Sequence, residues 1–211
     1  MKHSHKWILI GLLVLGSYAL SATAMGQPVI SLGGVYVLPS DDEIWDDAYG
    51  IEARLIMWTS DHVGFAAAAG YQQWGATKKS LGTVRLLGGG SADFIPLGGS
   101  VLFRGDLGTF ASFMAELGAR YVLVDADLSV YYARADFAGG GFVITEGEDK
   151  LSVDDAIIGL IGIDLVLNNL PVFVGAGYQF DIDQSEAKLG IARFSRDVEL
   201  EGFFIRAGIA W

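Results

Sequence analysis

Six ionisable residues are spaced so that β-strands would turn them all to one side. Glu52 and Arg54 lie two apart, Glu116 and Arg120 lie four apart, and Asp164 and Arg206 each stand among alternating apolar neighbours. Successive side chains of a strand point to opposite faces, so an even spacing keeps residues on one face. Three acids and three bases on one face predict either of two arrangements. One is an ion-pair network that fills an interior; the other is a gate, in which alternative pairings open a narrow water path. An unpaired charge taken out of water is costly, and the balance of three against three favours the filled interior.

Other chemistry has less to work with. His3 and His5 fall in a leader described below, which leaves His62 alone, in a Thr59-Ser60-Asp61-His62 stretch that reads as a tight turn. A histidine base needs its partners within hydrogen-bond reach. His62 falls at the opposite end of the strands from the long loops, and no serine cluster argues for acyl chemistry, so an enzyme is not expected. Asp41, Asp42, Glu43, Asp46 and Asp47 form one acidic group, and Glu146, Glu148 and Asp149 form another. Hard cations take several oxygen ligands. Neither group has the glycine-punctuated spacing of a calcium loop, so both read as solvated surface acids, and no metal or cofactor is expected.

Composition bounds the class. Of 211 residues 52% are hydrophobic and the mean hydropathy is +0.41, yet no stretch beyond Ala24 is long enough for a spanning helix. Apolar residues dispersed in this way suit strands that cross a membrane as a closed barrel. Glycine is frequent, at 29 residues, and in strands it marks close backbone approach or a narrow interior. The absence of cysteine excludes disulfides, thiol chemistry and lipoprotein anchoring.

The first 24 residues read as a cleaved signal peptide: Lys2 and Lys6, an apolar run from Trp7 to Leu20, then Ala22-Thr23-Ala24. The run is shorter than the roughly 20 apolar residues of a spanning helix. Without the leader's two lysines the balance is 12 basic against 25 acidic residues, which makes nucleic acid an unsuitable partner. Residues 25–211 are expected to form one domain.

Eight strands are expected: Val29 to Leu38, Ala48 to Trp58, Val63 to Trp74, a fourth ending at Arg104, Thr109 to Val124, Asp155 to Leu167, Pro171 to Asp183, and Gly202 to Trp211. The fourth has the least defined register, because Gly88-Gly89-Gly90 and Pro96 interrupt it. Short turns alternate with long loops, as in an up-and-down barrel. Tyr36, Tyr49, Tyr71, Tyr121 and Tyr178 gather toward the loop end. Trp58, Phe103, Phe110 and Trp211 gather at the turn end, giving the two aromatic belts of a membrane barrel. In the last strand Phe203, Ile205, Ala207, Ile209 and Trp211 share the outward face, opposite Arg206.

The leader, the strand rhythm (Ala48-Tyr49-Gly50-Ile51-Glu52-Ala53-Arg54, Gly175-Ala176-Gly177-Tyr178) and the Phe203–Trp211 segment together resemble the OmpA/OmpX-type outer-membrane barrels. The resemblance implies an all-β, eight-stranded antiparallel up-and-down transmembrane β-barrel in a bacterial outer membrane. It also implies a terminal strand (Phe203, Ile205, Ile209, Trp211) read by the barrel assembly machinery. The resemblance is to the barrel domain alone, so no peptidoglycan-binding role is expected. Outer-membrane lipid and lipopolysaccharide are the expected surroundings, the alternative to solvated loop acids being divalent ions that bridge them to lipopolysaccharide phosphates, and a monomer is expected. Between Asp125 and Leu151 a hairpin is expected, in which Tyr131, Tyr132, Phe137 and Phe142 would offer a partner-binding surface. A non-enzymatic structural or surface-interaction role with a plugged lumen follows; the alternative is a narrow channel for small solutes or apolar compounds.

Overall fold

A computed structural model describes residues 28–40, 45–76, 80–81, 84–85, 90–138, 141–183, 185–189 and 194–211. Over the described positions within 76–85, 127–151 and 185–198 only the backbone path is described. The signal-peptide expectation and part of the first acidic group (Asp41 to Glu43) lie outside the described residues.

The elements in chain order are β1 (Val29–Pro39), β2 (Trp45–Trp58), β3 (Val63–Ala76), β4 (Ser80–Leu81), β5 (Val84–Arg85), β6 (Gly90–Asp106) and β7 (Ala111–Ala138). They continue with β8 (Gly141–Val153), β9 (Ala156–Leu167), β10 (Val172–Asp183), β11 (Ser185–Leu189), β12 (Phe194–Val198) and β13 (Gly202–Ala210). No described helix is long and apolar enough to cross a membrane. Eight strands close on themselves, every pair antiparallel, in the order β1-β2-β3-β6-β7-β9-β10-β13. The β1–β13 ladder, from Ser31↔Ala210 to Pro39↔Gly202, seals the barrel. Closure leaves no unpaired edge in the wall.

Alternation decides which face each residue takes. Ile51, Leu55, Leu117, Ile161, Ile163, Phe203 and Ile205 are exposed on the outside, and their chain neighbours Glu52, Arg54, Glu116, Phe204 and Arg206 are buried inside. Pro96 is fully buried in the middle of β6. On the β3 side the ladder is interrupted between Ala69↔Leu97 and Gln72↔Phe94; on the β7 side it runs unbroken through Pro96↔Val122. Proline has no N–H to give, and it sits where the ladder asks for none. The fourth strand therefore extends from Gly90 to Asp106. The turn into β7 places Gly108 at φ +93°, a backbone region open to glycine and strained for other residues.

The fifth stave outgrows the barrel. β7 pairs with β9 only as far as Val122↔Ala156, then continues beyond it and folds back on β8 from Leu128↔Leu151 to Ala138↔Gly141. β8 pairs in turn with β11, and β11 with β12, giving a four-stranded wall that stands above one end. The 11 residues from Leu128 to Ala138 would span about 35 Å at ~3.3 Å per residue. The stretch expected to form a hairpin is one.

Small residues give the interior its width. A Cβ at Gly177 would fall within 2.7 Å of Gly162 Cα and would also collide with Ile161 O and the Phe204 ring. Gly177 and Gly162 are paired across the strands, and together they form the floor on which the Phe204 ring lies. Gly177→Ala is expected to cost about 1–3 kcal/mol through overpacking. A urea-unfolding midpoint of the refolded barrel checks this, with Ala176→Gly on the outer face as the comparison.

Candidate functional site

The six ionisable residues named above meet inside the barrel. Glu52 and Arg54 come from β2, Glu116 and Arg120 from β7, Asp164 from β9 and Arg206 from β13. Each has a small residue on at least one neighbouring strand: Ser31 and Ala68 flank Arg54, Gly33 and Gly70 flank Glu52, Gly162 lies beside Glu116, Gly98 lies beside Arg120, and Gly175 lies between Asp164 and Arg206. Four strands thus supply charge, and their neighbours supply the room that long side chains need.

Arg206 is the hub. Its Nε donates to Asp164 Oδ1 at 2.7 Å, its Nη2 donates to Asp164 Oδ2 at 3.0 Å and also to Glu116, and its Nη1 reaches Glu52 Oε1 at 3.4 Å. Arg54 Nη1 donates to Asp164 Oδ2 at 2.8 Å and to Glu116 Oε2 at 3.2 Å, and its Nε donates to Ser31 Oγ at 3.0 Å. Arg120 donates to Glu52 and approaches Glu116 Oε1 at 3.7 Å. None of the six is more than 6% exposed. Planar guanidinium groups with several fixed donors suit bridging of this kind. Glu116 Oε1, Arg120 Nη2 and Arg54 Nη2 are buried without a hydrogen-bond partner among the described residues. Ser31, which holds Arg54, carries no charge and was not singled out by the charge pattern.

Above this layer the lumen is apolar. Trp45, Trp74 and Phe94 pack edge to face with centroids 5.0–5.7 Å apart, and Val37, Ala48, Ile158, Leu160 and Leu200 join them in one buried cluster. Trp74 Nε1 donates to Gln72 Oε1 at 3.1 Å. Two layers of opposite character therefore fill successive levels of the same interior. The sequence expectation contained only the lower one. The second strand was expected to start at Ala48, whereas β2 begins at Trp45, and after a register shift before Ala48 the Trp45 ring is buried inside.

No family model matches the chain, and no curated protein matches it by sequence. Solved structures do match by shape. The outer membrane protein OprG from Pseudomonas aeruginosa superposes with a TM-score of 0.54 at 14% identity, over 87% of this chain and 93% of that one. The chain has the fold of the eight-stranded outer-membrane barrels. Others of that type align less closely: the attachment invasion locus protein Ail of Yersinia pestis with a TM-score of 0.42 at 13% identity over 87% and 96% of the two chains, and AlkL with 0.45 at 12% over 88% and 89%.

The aromatic residues fall into two groups, one at each end of the barrel. At the loop end five tyrosines each bond a polar group on another strand or adjoining segment. Tyr36 bonds Asp47, Tyr49 bonds Gln73 at 2.8 Å, Tyr71 bonds Asp93 at 2.8 Å, Tyr121 bonds Asp155 at 2.6 Å and Tyr178 bonds Glu201 at 2.8 Å. Four of the five acceptors are carboxylates, and no sequence periodicity marks them. At the turn end Phe103, Phe110 and Trp211 are exposed. Trp58 departs from the expected belt: it faces the interior and packs against the lower apolar cluster, because it shares the inward face of β2 with Arg54 and Ile56. Phe203, Ile205, Ile209 and Trp211 all lie on the exposed outer face of the closing strand. His62 is in the β2–β3 turn, its Nδ1 3.2 Å from Arg104 O. Tyr131, Tyr132, Phe137 and Phe142 are on the β7–β8 hairpin, Phe137 paired with Phe142, and their side chains lie outside the described residues, as do those of Glu146, Glu148 and Asp149.

Leu200, just before β13, caps the apolar layer and is 2% exposed. Its N–H donates to Asp181 Oδ2 at 2.9 Å, and its carbonyl accepts from Gln179 Nε2 at 2.7 Å. Asp181 stands three residues beyond Tyr178, outside the span between the two aromatic rings. Burial raises its pKa from 3.8 to about 6, the Leu200 N–H opposes the rise, and Glu201 and Glu199 add to it. The folded state therefore holds the proton more tightly than the unfolded chain. This contribution to stability is fully present below the unfolded value of 3.8 and is lost as pH rises through about 6. The stability of the wild type relative to Asp181→Asn is expected to fall between pH 4.5 and pH 7.5. Urea midpoints of both proteins at the two pH values check the sign.

Proposed function

We propose that this protein is a non-conducting, non-enzymatic barrel of a bacterial outer membrane, an anchor whose working surface is the wall of strands standing above it. One observation carries the reading: a paired charged layer and an aromatic layer fill successive levels of the lumen. An eight-stranded barrel is just wide enough for side chains to fill, and here they fill it twice. In this reading the tight turns face the periplasm and the β7–β8 hairpin faces outward. Outer-membrane lipid and lipopolysaccharide surround the tyrosine ring, and the strand ending in Trp211 is the segment the assembly machinery reads. The chain acts as a monomer, since the closed wall leaves no unpaired barrel strand to offer a second copy. Tyr131, Tyr132, Phe137 and Phe142 are the candidate contact residues, on a hairpin suited to surface interaction.

Proteoliposome swelling tests the closed lumen. Vesicles carrying the refolded protein are expected to swell no faster in small sugars or amino acids than protein-free vesicles. Swelling that scales with protein content would favour the alternative, a narrow channel for small solutes. Recovery of the protein in the soluble periplasmic fraction instead of the outer membrane would contradict the location.

A further inference from the structure

The charged layer closes the lumen, but beneath it, at the turn end, the barrel opens into a cavity of about 510 Å³. That volume lies within the roughly 300–1,000 Å³ of small-molecule sites. Ile56, Met114, Phe173 and Trp58 give it apolar walls, and among the described residues Arg54 and Arg104 supply the only charged side chains that line it. Both are cationic, in a chain whose net charge is −11.

Arg54 forms the inner end. It is 2% exposed, its guanidinium lies 4.8 Å from the centre of the Phe173 ring, and its Nε and Nη1 are held by Ser31, Glu116 and Asp164. Its Nη2 has no partner among the described residues. Ser31 Oγ accepts from Arg54 and so keeps its own hydroxyl proton to donate. Leaving a buried donor unpaired is costly, and a charged acceptor is the partner it binds best. Arg104 is exposed nearer the mouth, 5.9 Å from the Trp58 ring, where it favours approach of an anion.

We propose that this vestibule binds an amphipathic monoanion, a medium-chain carboxylic acid of the fatty-acid class. Its carboxylate meets Arg54 Nη2 and Ser31 Oγ, and its chain runs along Ile56, Met114 and Phe173 toward Trp58. The vestibule stops below the ion-pair layer, so binding requires no passage through the barrel.

Trp58 supplies the readout. A Trp211→Phe protein in lipid nanodiscs is titrated with 8-bromooctanoate and, separately, with the uncharged 8-bromooctanol. Saturable quenching of tryptophan emission is expected from the acid at about tenfold lower concentration than from the alcohol, the margin of one charge-assisted hydrogen bond. Arg104→Gln lies outside the ion-pair network, and Ala210→Phe fills the cavity from a lining position. Both are expected to fold, as read by heat-modifiable gel mobility, and to weaken quenching by the acid. Equal quenching by acid and alcohol, or quenching unchanged in both variants, would mean partition into lipid and overturn the proposal. Quenching by brominated phospholipid that octanoate does not displace would mean that a lipid chain fills the site, and would also overturn it. Conductance plays no part in this test, so its failure leaves the closed-lumen reading standing.

Discussion

Arg206→Leu is expected to cost about 3–5 kcal/mol of barrel stability, because it strands buried acids without their shared partner. Arg206 touches all three carboxylates of the layer, with Asp164 bound at 2.7 and 3.0 Å and Glu52 at 3.4 Å. Without it, three acids that are at most 6% exposed are left with two arginines. Urea unfolding of the refolded barrel reads the loss as a shift in midpoint. The double variant Arg206→Leu with Asp164→Leu is expected to recover part of it, since it removes one of the stranded charges. Coupling between contacting residues of this kind runs to about 0.5–3 kcal/mol. A double variant whose loss equals the sum of the two single losses would contradict a shared network.

Trp74→Ala is expected to cost a similar amount, about 3–5 kcal/mol, for a different reason. The indole is 2% exposed and meets Trp45 at 5.7 Å and Phe94 at 5.0 Å, both edge to face. Its removal leaves a void in the upper layer and frees Gln72 Oε1 from its N–H donor. Ile161→Ala, on the outer face of the barrel and 55% exposed, is expected to cost much less in the same unfolding assay. The comparison separates packing inside the lumen from apolar content as such. Because the charged layer lies below and is untouched, the Trp74→Ala barrel is also expected to stay closed to ions.

The two layers were not equally legible in the sequence. Glu52 and Arg54, and Glu116 and Arg120, sit in long, clean alternations, so period two assigns their faces without any tertiary knowledge. Asp164 and Arg206 follow in the same way. Trp45, Trp74 and Phe94 did not show themselves, although they are among the largest buried side chains. Trp45 follows acidic residues and precedes a register shift, so its face depends on a bulge that local pattern does not announce. Phe94 sits two residues before Pro96, in the strand whose ladder with β3 is interrupted. Alternation there cannot be counted across the break.

The length of β7 was hidden for a related reason. Membrane thickness suggests a strand of about 9–11 residues, and β7 runs 28 residues because its outer part pairs with β8 after the barrel wall ends. Sequence pattern locates both arms of that hairpin but does not say that one of them continues a barrel stave. The carboxylate partners of the tyrosine ring were equally silent. Asp47, Asp93, Asp155 and Glu201 come from separate segments, and only closure of the sheet brings each beside its phenol.

Planar-bilayer recording of the wild-type barrel tests the closed lumen most directly. The predicted record is silent, with no steady single-channel steps at either polarity, while a general porin inserted under the same conditions conducts. Reproducible openings that change in size when Glu116 or Arg120 is substituted would show that ions pass through the charged layer, and would contradict the account.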